Sequence, residues 1–206
     1  MAIKEQITDI ENKNDDASEL DMQFIIPAKT LIEIMKLLSD SDDTVSIRLT
    51  RKYVMLFTDK VIFFSRLIEN EYIDYNRFLP KAPKTFVKIN CEAFLGALER
   101  ASLVTEDKTM GQAKSILRCN FEDGMLKISS VSVSGKVYDE VFTEKTGEDI
   151  MLGFNCRFLL DALRSCDSEK LMLSLTSQLI GMTITPAEPS EESNFTFLVL
   201  PVKIKE

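Results

Sequence analysis

The 206-residue chain is 45% apolar and 28% charged, enough to bury the core of one large domain or of one domain and part of a second. It has no histidine, and Cys91, Cys119, Cys156 and Cys166 form no C-x-x-C pair, which removes histidine acid–base chemistry, Ser–His and Cys–His nucleophiles and most metal sites. The net charge of −8 is uneven: the first 21 residues hold seven acids and two bases, −5 in all, and leave −3 for the other 185.

Residues 1–6 alternate as a strand does, with no helix before them, and read as the last strand of a unit whose beginning is missing. Residues 7–21 are acidic and poor in apolar side chains, the composition of a mobile loop. Beyond them three segments align without a gap: Phe24-Ile25-Ile26-Pro27, Val87-Lys88-Ile89-Asn90 and Leu152-Gly153-Phe154-Asn155, at offsets of 63 and 65. Each is a short extended run followed by a helix-start residue, Pro27, Asn90 or Asn155. A stripe at i, i+3, i+4, i+7 follows in each copy. The positions are Leu31, Ile34, Met35 and Leu38; Phe94, Ala97, Leu98 and Ala101; and Leu159, Ala162, Leu163 and Cys166.

Three strand-like runs follow each helix: 45–50, 53–58 and 61–68; then 116–121, 125–131 and 136–143; then 170–176, 179–185 and 195–202. Glu122-Asp123-Gly124 suits a hairpin turn, and residues 186–193 read as a polar loop. Pro80 and Pro83 bias residues 69–85 toward an extended connector. Cys91 and Cys156 fall at equivalent positions of the repeat, which accounts for them better than a metal or redox pair does.

Paired β-α-β-β-β units resemble the processivity clamps, and specific wording resembles the bacterial sliding clamp family, the beta subunits of replicative DNA polymerase III. The wording is Ile25-Ile26-Pro27-Ala28-Lys29, Asp74-Tyr75-Asn76-Arg77-Phe78-Leu79-Pro80, Gly153-Phe154-Asn155, Leu159-Leu160-Asp161-Ala162-Leu163 and Leu198-Val199-Leu200-Pro201-Val202-Lys203-Ile204. The resemblance implies an α+β DNA-clamp fold of three repeats, one complete clamp domain plus half of the preceding one. Residues 1–21 would be a trailing strand and acidic loop, 22–84 the second half of the middle domain with its connector, and 85–206 the carboxy-terminal domain.

By the same resemblance the chain would be a truncated, non-catalytic processivity factor without a cofactor, cytoplasmic and not bound to membrane. A hydrophobic cleft would bind linear motifs of polymerase subunits, clamp loader and repair proteins. Its residues would be Ile73, Arg77 and Phe78 from the connector, Phe158, Leu179 and Gly181, and Leu198, Val199, Leu200, Pro201 and Val202 from the last strand. The family's T-D-G-[HY]-R segment would precede this chain, leaving the groove incomplete with Met1 at its edge. Helix positions Lys29, Lys36, Arg100, Arg157 and Arg164 would face duplex DNA through phosphate contacts. Against them stand Glu33, Glu92, Glu99 and Asp161, so DNA binding is expected to be weak. An unpaired half-domain leaves apolar surface exposed, from which homodimerisation is expected. The alternatives are an enzyme of unknown type, or a self-assembling structural protein, built on the same repeat.

Overall fold

The computed structural model describes residues 2–4, 23–38, 45–105, 115–189 and 194–204. The chain divides into two compact units, one of residues 1–10 and 76–206 and one of residues 11–75.

The smaller unit holds helix α1 (Ala28–Leu37) and strands β2 (Ser46–Leu49), β3 (Tyr53–Phe57) and β4 (Ile62–Arg66), which form an antiparallel sheet in the order β2-β3-β4. Among the described residues its core is Ile34, Val54, Leu56 and Leu67, with Ile26, Leu38, Val45, Leu49 and Phe63 packed around them. Two expectations fail here. Residues 24–26 form no strand; among the described residues they contribute the single bridge of Ile25 to Ile68. The helix stripe is also only partly buried, because Leu31 is 45% and Met35 75% exposed.

The larger unit shows what is missing. It contains β1 (Ala2–Lys4) and, after a 3-10 turn (Tyr75–Arg77) that spans the boundary in the chain, β5 (Thr85–Asn90), α2 (Cys91–Thr105), β6 (Leu117–Glu122), β7 (Met125–Val131) and β8 (Lys136–Thr146). The next copy supplies β9 (Ile150–Phe154), α3 (Cys156–Leu163), β10 (Lys170–Leu175), β11 (Met182–Pro186) and β12 (Phe195–Val199). These nine strands form one sheet in the order β1-β12-β11-β10-β5-β8-β7-β6-β9. The copies exchange their first strands: β5 pairs with β10 of the other copy, and β9 with β6. Each opening strand is therefore laddered mainly by the other copy, and residues 24–26 have no second copy in their own unit.

Strand β8 joins the sheet's two halves through its length. Lys136 to Phe142 pair with β7, and Thr143 to Thr146 pair with β5. One contact recurs in all three copies, its first residue at the repeat offsets: Ile25 to Ile68, Lys88 to Glu144 and Gly153 to Val202. Helices α2 and α3 pack on each other, and α2 also lies on β5, β7 and β8. Their stripes are buried as expected; Phe94, Ala97, Leu98, Ala101, Leu159, Ala162 and Leu163 are each at most 3% exposed. Cys166 lies past the end of α3.

Both asparagine caps form. Asn90 Oδ1 accepts from the Ala93 amide at 2.9 Å and Asn155 Oδ1 from the Arg157 amide at 3.1 Å. Gly124 (φ 72°) turns the β6–β7 hairpin. Strand β4 stops at Arg66 and β8 runs on to Thr146, against expected ends at 68 and 143, and two strand ends in the third copy fall three residues short. A turn in which the Ile180 amide donates to the Ser177 carbonyl (3.3 Å) delays β11 to Met182. Strand β12 stops at Val199, shortly before Pro201, which has no amide hydrogen for a ladder.

Candidate functional site

The alternation of β12 sorts the carboxy-terminal residues. Phe195, Phe197 and Val199 enter the main core, whereas Leu198 is 2% exposed without belonging to that core. Leu200 follows on the same side as Leu198 and is 59% exposed. Met182 pairs with Val199, so Gly181 falls opposite Leu200 at the mouth of the hairpin.

A side chain at Gly181 would sit 2.6 Å from Leu198 Cδ1 and 3.2 Å from Leu200 Cδ2. The two leucines therefore lie directly over the glycine backbone, an apolar floor with no room for a larger residue. Leu179 at the turn is 82% exposed, Phe158 on α3 59%, Phe78 after the 3-10 turn 59% and Val202 38%. Pro201 is half-buried and Arg77 exposed. Ile73 is exposed in the other unit, on the chain before the 3-10 turn.

The tail beyond Pro201 is clamped. The Val202 amide donates to the Gly153 carbonyl at 2.7 Å. A Cβ at Gly153 would stand 2.7 Å from Val202 O and 2.8 Å from Ile204 Cγ1. Sequence reasoning missed this role of Gly153; the signal was a glycine where the other copies carry Ile25 and Lys88.

On the outer edge of β12, β1 pairs antiparallel, with Ala2 opposite Phe197 and Lys4 opposite Phe195. The chain therefore enters from the Leu198 end of the strand. Met1 itself lies outside the described residues, as do residues 7–21.

The cationic helix positions are largely neutralised. Lys36 pairs with Glu33 at 2.9 Å, Arg100 with Asp139 at 2.6 Å, Arg164 with Glu99 at 3.1 Å and Arg157 with Asp161 at 3.9 Å. The Asp139 carboxylate, chiefly by accepting a hydrogen bond, holds the Arg100 guanidinium above its usual range. Lys29 is exposed on the first turn of α1.

Interlocked β-α-β-β-β copies sharing one antiparallel sheet, with an apolar carboxy-terminal strand, define the DNA-clamp class of fold. Family models agree: "DNA polymerase III beta subunit, C-terminal domain" matches residues 76–203 and "DNA polymerase III beta subunit, central domain" matches residues 2–74. The chain belongs to the DNA polymerase III beta subunit family. It is 30% identical over 186 residues to the beta sliding clamp of Streptococcus pneumoniae serotype 4, a match covering 89% of this chain and 47% of that protein. The crystal structure of the Bacillus subtilis sliding clamp superposes with a TM-score of 0.79 at 29% identity, over 88% of this chain and 47% of that one. The beta subunit from DNA polymerase of Streptococcus pyogenes gives a TM-score of 0.80 at 25% identity, over 92% and 50%. The chain thus spans about half the length of the curated relatives it matches.

Proposed function

We propose that this chain acts as the carboxy-terminal part of a sliding clamp, a non-catalytic docking module that offers an apolar groove to linear motifs of replication and repair proteins. The observation that carries the reading is the floor formed by Leu198 and Leu200 over Gly181, beside a strand that ends at Val199, shortly before Pro201. An apolar anchor of a short peptide gains most where it seats against a preformed apolar surface. In this reading Arg77, Phe78, Phe158, Leu179, Pro201 and Val202 rim the groove, and Val199 acts through its backbone because its side chain is in the core. Residues 22–84 would be the second half of a clamp middle domain and 85–206 the carboxy-terminal domain.

The test is a titration of the chain with a fluorescent clamp-binding peptide, read by anisotropy. Leu200→Asp puts a charge over the floor at an exposed position, and should weaken binding by roughly thirty-fold, about 2 kcal/mol for a lost anchor. Unchanged affinity in that variant would refute the groove.

DNA contact in this reading is weak, because four of the five candidate cations are engaged by carboxylates. The chain should wash off nicked plasmid at moderate salt. Among the described residues no helix is long and apolar enough to cross a membrane. Self-association is the remaining partner expectation, through the exposed apolar side chains of α1.

A further inference from the structure

We propose that Cys91 and Cys166 form a thiol–disulfide switch that hydroperoxides close, stapling the start of α2 to the loop after α3. Three contacts bring the two residues together. The Cys91 amide donates to the Glu169 carbonyl at 2.8 Å, which fixes the loop carrying Cys166 against the first turn of α2. Cys91 Sγ approaches the Leu163 carbonyl at 3.9 Å, and Cys166 Sγ approaches the adjacent Ala162 carbonyl at 3.4 Å. Both thiols are reduced and both are partly accessible.

The repeat supplies an internal control. Cys156 occupies the place of Cys91 in the third copy, and its Sγ meets the Leu98 carbonyl at 3.5 Å, the counterpart of Leu163. The counterpart of Cys166 is Ala101, so this second junction lacks the partner thiol. The thiol near Cys156 is Cys119, and both are buried. Burial, and then the neighbouring Cys156, push the Cys119 thiol far up, which keeps it protonated and unreactive. At Cys91 the hydrogen bond with Cys166 outweighs desolvation and lowers the thiol below its ordinary range, favouring the thiolate that attacks peroxide.

The chemistry balances in two steps. The Cys91 thiolate attacks one peroxide oxygen, the O–O bond breaks, and a sulfenic acid forms as the other oxygen leaves and takes up a proton as water or alcohol. Cys166 sulfur then attacks the sulfenyl sulfur, the S–O bond breaks, and the hydroxyl leaves as water with the Cys166 proton. Two thiols lose two electrons in all, and the hydroperoxide gains them.

The test treats the full chain with hydrogen peroxide and reads intact mass, thiol alkylation with peptide mapping, and thermal melting. The expected result is loss of two hydrogens, a Cys91–Cys166 linked peptide, Cys119 and Cys156 protected until denaturation, a raised melting temperature, and reversal by dithiothreitol. Cys166→Ala installs the residue of the equivalent Ala101, so it should fold; its Cys91 should stop at sulfenic or higher acids. A bridge between chains, oxidised but unlinked Cys91 in the natural sequence, or two untouched thiols would each overturn the proposal.

Discussion

Single residues show where sequence reading reached and where it stopped. Asn90 and Asn155 were legible as caps because capping is local: the side chain bonds an amide two or three residues on. Asn155→Ala should therefore cost about 1 kcal/mol, with Phe158 and the rest of α3's first turn loosened, as seen in denaturant unfolding of the carboxy-terminal unit. Gly153 was not legible, because its need for a missing side chain comes from a tail some fifty residues later, where Val202 O and Ile204 Cγ1 occupy the space of a Cβ. Gly153→Ala must push the tail away or strain β9. The expected cost is about 1–3 kcal/mol, the usual penalty of overpacking, measured as a lowered denaturation midpoint. Peptide affinity should fall with it, since the displaced tail carries Pro201 and Val202; unchanged stability would show that the tail is easily moved.

At the scale of elements, periodicity located helices and strands but not their partners. Alternation and the i, i+3, i+4 stripe are properties of one segment, whereas the exchange of β5 and β9 between copies is a property of the pair. That is why residues 24–26, matched to β5 and β9 in pattern, were expected as a strand and are not one. Strand β5 is hydrogen-bonded on both sides, by β10 and β8, over residues Phe86 to Ile89. Among the described residues, 24–26 have the one bridge at Ile25. Native-state hydrogen exchange should separate them widely: peptides covering 85–90 should exchange near the limit set by global unfolding, and those covering 24–26 by local opening. Equal protection in the two segments would mean that residues 24–26 are laddered in solution by a partner outside their own unit.

At the scale of the whole molecule, an odd number of copies has a physical consequence. In the larger unit, Phe94 and Leu98 of α2 and Leu159 and Leu163 of α3 are at most 1% exposed, and the two helices cover each other. Leu31 and Met35 hold the same repeat positions in α1 and are 45% and 75% exposed. An apolar surface of this kind favours association, because each buried methylene contributes on the order of 0.8 kcal/mol. A second copy of the chain carries the same α1 face, and two such faces related by a two-fold axis would repeat the α2–α3 relation between chains. Multi-angle light scattering of the 206-residue chain should then give a mass above 23.4 kDa that rises with concentration. Met35→Glu introduces a charge at an exposed position, so it should leave the fold intact while shifting the mass toward the monomer, with less effect at high salt if repulsion between paired glutamates contributes. Phe142→Glu in the larger unit is the matched control: Phe142 is 83% exposed but lies outside the α1 face, and its replacement should leave the mass unchanged. A strict monomer at high concentration would mean that the small core around Ile34, Val54, Leu56 and Leu67 suffices without a partner.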